Sequence, residues 1–114
     1  MTCSKLKEYD KAVSAYREVL RLKPDNSAAS NQLGLAHLSL KQFPNALAAF
    51  QETIRLKPDD AAAHFNLGFT YVSAGQTGEA LMVQQKLRTL DQAWAMKLSQ
   101  EINKSRTAPR ERPR

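Results

Sequence analysis

The residues whose types could support catalysis or metal binding are few and scattered. The chain has two histidines, His37 and His64, which lie 27 residues apart. A metal site needs a closely spaced histidine pair or converging carboxylates and thiolates. We therefore expect both histidines to serve packing, and we expect no metal and no cofactor.

Two further patterns could carry chemistry. Asp59-Asp60 is a pair of adjacent acidic residues, but a loop ending in a helix N-cap explains it better, because an aspartate oxygen accepts the free N–H groups of a first helical turn. Gly75 and Gly78 are not followed by the Gly-Lys-Ser/Thr of a phosphate-binding loop. The sequence thus predicts no catalytic residue, and we expect a protein that is not an enzyme.

Composition sets the scale of the molecule. With 114 residues, 42% of them hydrophobic, the chain has room for one domain of about six or seven helices. A single cysteine, Cys3, excludes an internal disulfide; an intermolecular one is the alternative to a plain helix residue.

No apolar run approaches the roughly 20 residues that span a bilayer, and no secretory signal is visible. We expect no membrane span and favour the cytoplasm, although the sequence does not fix the compartment.

The net charge of +6 is unevenly distributed. Residues 106–114 contain four arginines, one glutamate and two prolines without apolar periodicity, which predicts a basic disordered tail. Weak binding of nucleic acid or an acidic surface by this tail is an alternative function. Nucleic acid is disfavoured, because three net charges release few counterions and no aromatic residue is interleaved for base stacking.

The elements that would position any site follow from an internal repeat. The phrase Arg-Leu-Lys-Pro-Asp starts at Arg21 and again at Arg55, 34 residues later. The same shift places Leu33-Gly34 on Leu67-Gly68, and 10 of 20 positions are identical between 6–25 and 40–59. The matches are mostly apolar, Gly and Pro, as expected where packing constrains the residue. A period of this length indicates stacked helical hairpins.

The repeat resembles the tetratricopeptide repeat family over about residues 5–105. The second unit supplies Ser30, Leu33, Gly34, His37, Ala46, Phe50, Thr53 and Pro58, and the third His64, Leu67, Gly68, Tyr71, Ala80, Gln84 and Leu87. The resemblance implies an all-α fold of antiparallel helix-turn-helix repeats stacked as a right-handed superhelix, an α-solenoid. We divide residues 1–105 into a partial repeat (1–26), two repeats (27–60 and 61–91) and a capping helix (92–105), with 106–114 as the tail.

Local signals place the helices within these units. Asn26 and Asp60 are N-cap residues for helices over about 27–40 and 61–74, and Pro44 suits the first turn of a helix over 43–56. Gly75 separates the helix over 61–74 from a helix over 77–90. Trp94, Leu98 and Ile102 form the apolar stripe of the capping helix. Gly34 and Gly68 lie inside helices, which predicts a close approach of the facing helix at Ala46 and Ala80.

The first unit begins in the middle of its pattern. We expect a short stub over 2–6 and a helix over 9–22 with one open apolar side. An open apolar patch usually marks an interface, so either a longer array or another chain would cover it, and we favour self-association. The residues concerned are Ala12, Val13, Tyr16 and Leu20.

The resemblance implies that the first helix of each unit lines the concave side of the superhelix, where protein partners bind. That places a peptide-binding groove on eight residues: Asn31, Gln32, Leu35, Leu38, Phe65, Asn66, Phe69 and Val72. The lining contains no Lys or Arg, which argues against a carboxylate clamp and favours an apolar or amphipathic peptide. We therefore expect a non-catalytic interaction scaffold. The alternatives are that the two phenylalanines pack internally, and that the chain serves assembly alone.

Overall fold

The computed structural model describes the backbone of residues 3–107 and the side chains of residues 7–105. Six α-helices and no strand occupy that range. They are α1 (Cys3–Leu22), α2 (Ser27–Ser39), α3 (Phe43–Leu56), α4 (Ala61–Ser73), α5 (Thr77–Leu90) and α6 (Gln92–Thr107). None of these helices is both long and apolar enough to cross a bilayer.

Side-chain caps start three of the helices. The Asn26 Oδ1 accepts a hydrogen bond from the Ala29 N–H at 3.0 Å, and the Asp60 Oδ1 accepts one from Ala63 at 3.3 Å. Asp91 does the same for α6, where its Oδ1 accepts from Ala93 at 2.9 Å. The predicted caps of α2 and α4 are confirmed, and the bounds of α3 and α5 are those predicted from the sequence.

The N-terminal segment differs from its prediction. Instead of a stub followed by a second helix, residues 3–22 form one continuous helix of 20 residues. The physical reason is local: this segment contains neither glycine nor proline, so nothing interrupts the helix once it has started. At the other end, α6 extends to Thr107 and takes in two residues that the sequence assigned to the tail.

Each helix packs against the next one in the chain, and α6 packs against both α4 and α5. Two clusters of buried residues result. The first comprises Ala46, Phe50 and Leu67, and the second Ala80, Leu87, Ala95, Leu98 and Ile102. Tyr71 and Val83 pack against both clusters and join them. Leu98 and Ile102 of the α6 stripe are therefore buried and Trp94 is half-buried, as expected of a terminal helix that closes an array.

The helical glycines confirm close approach, but not at the predicted partners. A Cβ on Gly34 would lie 2.5 Å from the Phe50 ring, and one on Gly68 would lie 2.5 Å from a methyl group of Leu98. Ala46 and Ala80 are not the nearest neighbours. A large side chain lies over each glycine, because the missing Cβ leaves room for it.

Candidate functional site

Both histidines are buried and hydrogen-bonded to nearby loops. The His64 Nε2 donates to the carbonyl oxygen of Pro58 at 2.8 Å, and the His37 Nδ1 lies 2.8 Å from the Gln42 Oε1. Each ring therefore fixes a helix to the loop beside it, which confirms the structural role expected of both. Within residues 7–105, no three His, Cys, Asp or Glu side chains converge as metal ligands would.

Two helices without a single charged residue form the wall on which the predicted groove lies. Neither α2 nor α4 contains an aspartate, glutamate, lysine or arginine. The Asn66 Nδ2 donates a hydrogen bond to the Asn31 Oδ1 at 3.0 Å, which ties the two helices together across the repeat. We call this surface the α2–α4 wall. Its neutrality means that apolar contact and amide hydrogen bonds are the interactions it can offer.

An aromatic row continues the wall toward α6. The rings of Phe69 and Phe65 are stacked with centroids 6.1 Å apart, and Phe65 meets Trp94 at 5.1 Å. The Lys97 ammonium lies 4.8 Å from the centroid of the Trp94 ring, within the range of a cation–π contact. Phe65 also packs on the cluster around α6, as the alternative interpretation of internal packing predicts. Phe69 belongs to neither cluster.

An open cleft of about 510 Å³ lies at the C-terminal ends of α2 and α4. Leu38, Lys41, Phe43, Phe69 and Ser73 line it, and we call it the Lys41 cleft. The cation comes from the loop after α2, although α2 and α4 themselves carry none. The predicted groove therefore has at its border a lysine that the sequence argument, restricted to the two helices, did not include.

The eight residues predicted to line the groove have different environments in the structure. Asn31 and Asn66 are bonded to each other, and Leu38 and Phe69 share the Lys41 cleft. Leu35 packs on the Phe50 cluster, Val72 packs on the α6 cluster, and Gln32 is exposed. The predicted set therefore divides into one bonded pair, one cleft pair, the exposed Gln32, and three residues that pack on the core, Leu35, Phe65 and Val72.

Four residues near the groove were missed by the set chosen from sequence: Lys41, Phe43, Trp94 and Lys97. One signal was present for Lys41, since the 34-residue period aligns it with Gly75, the glycine that ends the next unit's first helix. For Trp94 and Lys97 no such signal existed. The link between α5 and α6 is the single residue Asp91, whereas four residues separate α3 from α4. That difference displaces α6 from the repeat register.

The N-terminal end of the array has an exposed apolar face. α1 packs against α2 and against no other helix of the described range. Val19 is 37% exposed, whereas its repeat equivalents Thr53 and Leu87 are 1% and 0% exposed. Tyr16 is half-buried, but its equivalent Phe50 is fully buried. The remaining residues predicted for self-association, Ala12, Val13 and Leu20, are also half-buried.

The basic tail lies almost wholly outside the described residues. Residues 108–114 are not described, and only the helical backbone of residues 106 and 107 is. Nucleic-acid or acidic-surface binding by the tail therefore stays an alternative prediction.

The helices, their pairing and the closing helix α6 define an all-helical repeat array, an α-solenoid with an uncharged wall. The chain matches the tetratricopeptide repeat family over residues 5–61 and again over 32–93. It belongs to that family, whose fold is a scaffold for protein–protein interaction. No curated protein sequence matches the chain.

Solved structures with similar folds extend the comparison. The TPR2B domain of yeast Sti1, solved as a complex with pHsp70, has a TM-score of 0.79 at 21% identity, covering 90% of this chain and 86% of that domain. MamA AMB-1 has a TM-score of 0.71 at 29% identity, covering 78% of this chain and 53% of its own. A mutant Thermobaculum terrenum O-GlcNAc transferase has a TM-score of 0.61 at 25% identity, covering 90% of this chain and 19% of the transferase.

Proposed function

We propose that the chain is a non-catalytic module that binds an apolar or amphipathic segment of a protein partner along the α2–α4 wall. The observation that carries this proposal is the α2–α4 wall. It consists of two adjacent uncharged helices that are hydrogen-bonded through Asn31 and Asn66. The half-buried ring of Phe69, on α4, also lines the Lys41 cleft. Paired amides can hydrogen-bond a peptide backbone, and the apolar side chains supply anchoring contacts.

The expected affinity is moderate. Burying one large apolar side chain contributes roughly 1.5–3 kcal/mol, and association itself costs at least about 4 kcal/mol. Four such anchors, at about 3 kcal/mol each, therefore give on the order of −8 kcal/mol at most, which corresponds to a micromolar dissociation constant. A groove of this kind suits reversible recruitment rather than permanent assembly.

The test is a selection of random peptides displayed on phage, followed by fluorescence anisotropy of the selected peptides. We expect binding to persist at moderate salt and to weaken by about tenfold or more in Phe69→Ala, since one apolar anchor is lost. Met82→Ala is the matched control, because Met82 is an exposed apolar residue on α5. Selected peptides that bind equally to wild type and Phe69→Ala would contradict the proposal. Loss of all binding at moderate salt would favour the basic tail instead.

Self-association through α1 is a second candidate function. The contrast between Val19 and its buried equivalents supports it, because the positions that a preceding helix covers in the later units are open here. Light scattering over a range of concentrations tests it: we expect a concentration-dependent dimer that Val19→Glu disrupts. A monomer at every concentration would remove this candidate.

A further inference from the structure

We propose that the Lys41 cleft selects the partner segment by charge, taking an apolar side chain of the partner that lies next to an aspartate or glutamate. This inference rests on the proposed peptide-binding function and specifies the chemistry of the ligand. The occupant is thus an acidic, amphipathic segment rather than a neutral or basic one.

The apolar half of the cleft comes from three side chains. Leu38 lies at the end of α2, Phe43 at the start of α3 and Phe69 on α4. Together with Lys41 and Ser73 they line an open cleft of about 510 Å³, a volume within the range of small-ligand pockets. A leucine or phenylalanine side chain of a partner can therefore enter, with the serine hydroxyl left for hydrogen bonding.

The backbone of Lys41 points to a specific use of its side chain. Lys41 has φ +60°, the left-handed conformation in which glycine is favoured, and its repeat equivalent Gly75 has φ +81°. The two turns have the same hydrogen bond, from the Lys41 N–H to the Leu38 carbonyl oxygen at 2.9 Å and from the Gly75 N–H to that of Val72 at 3.0 Å. Glycine would fit this turn without strain. A lysine in its place adds a cation to the cleft despite an unfavourable backbone.

No carboxylate of the described chain neutralises this cation. Within residues 7–105 the ion pairs join Glu18 to Arg21, Glu52 to Arg55 and Glu101 to Lys104, and none involves Lys41. Of the three helices that line the cleft, α2 and α4 contain no acidic residue, and Glu52 of α3 is paired with Arg55. Lys41 therefore remains available to a partner carboxylate, and a cationic partner residue at the same place would be repelled.

The next unit lacks these features. The period aligns Leu38 with Val72, Lys41 with Gly75 and Phe43 with Thr77. The later turn thus has no cation and no aromatic ring. Of these two turns, only the one that carries Lys41 can select by charge, which places the acidic residue of the bound segment at the Lys41 cleft.

The experiment uses the peptides selected on phage, synthesised with amidated and with free C termini. We expect aspartate or glutamate next to an apolar anchor among them, and about tenfold weaker binding when that residue is changed to its amide. Lys41→Gly should weaken the same peptides by a similar factor while raising the melting temperature, because it relieves the left-handed backbone. Lys57→Ala, which removes an equal charge from an exposed loop position outside the cleft, should leave the affinity unchanged.

The outcomes separate this inference from the function on which it rests. Peptides that lose affinity in Phe69→Ala but bind equally to wild type and Lys41→Gly would overturn charge selection and leave the groove intact. Affinity that depends on a free C terminus, rather than on an acidic side chain, would also overturn it. Peptides whose affinity is unchanged by both Phe69→Ala and Lys41→Gly would contradict the proposed binding along the α2–α4 wall.

Discussion

The contact between Gly34 and Phe50 allows the packing cost of one methyl group to be isolated. In Gly34→Ala the new Cβ would lie 2.5, 2.7 and 2.8 Å from three atoms of the Phe50 ring, whereas carbon atoms are in contact at about 3.5–4.0 Å. The ring is fully buried, so it must shift by roughly 1 Å inside a packed core. Overpacking of this kind costs about 1–3 kcal/mol.

A second glycine supplies the reference. Gly78 also lies in a helix, but a Cβ there meets nothing within 4 Å. Replacing glycine by alanine in a helix interior stabilises the helix by up to about 1 kcal/mol. Gly34 lies in the interior of α2, whereas Gly78 is the second residue of α5, where this gain is smaller. The overpacking cost of about 1–3 kcal/mol at Gly34 exceeds that gain, so Gly78→Ala should have the higher unfolding free energy of the two variants.

Urea denaturation followed by far-ultraviolet circular dichroism measures that difference. A smaller side chain at position 50 should relieve the clash with the new Cβ. Gly34→Ala combined with Phe50→Leu should therefore lower the unfolding free energy by less than the sum of the two single changes. If Gly34→Ala stabilises the protein as much as Gly78→Ala does, the close approach described here is wrong.

Three further predictions concern single side chains. His64→Ala should lower the unfolding free energy by about 1–3 kcal/mol, since it removes a buried ring and its bond to Pro58; thermal denaturation checks this. Ser30→Ala should be neutral or stabilising by up to about 1 kcal/mol, because the buried Ser30 hydroxyl has no hydrogen-bond partner; a clear loss in urea stability would contradict that. The hydrogen bond from Arg55 lowers the pKa of Glu52 below its ordinary 4.5. The small stabilisation from this pair is thus present above pH 4.5 and is lost as the pH falls through the lowered pKa. An NMR titration should show the midpoint rising in Arg55→Gln.

The helix boundaries were predictable because their causes are local. A cap such as Asn26 or Asp60 acts within four residues, and so does the proline at the start of α3. The N-terminal stub was wrong because it was inferred from the repeat register, although no residue in that segment breaks a helix. Local sequence chemistry was the better guide there.

The site was less predictable because its contacts join distant parts of the chain. Phe50 and Leu98, rather than the predicted alanines, lie over the two helical glycines. Which side chain lies there depends on how the neighbouring helices are rotated about their axes. The contact of Phe65 with Trp94 depends on the short link before α6. The role proposed for Lys41 was inferred partly from its positive φ, and the sequence indicates that angle only through the alignment of Lys41 with Gly75.

The shared position of Tyr71 and Val83 has a consequence for protein engineering. Among the described residues, these two side chains pack on both hydrophobic clusters, so a substitution at either position loosens both clusters at once. Val83→Ala would remove contacts from both clusters while leaving Lys41, Phe69 and the two asparagines unchanged. Stability and surface chemistry can therefore be varied separately in this molecule.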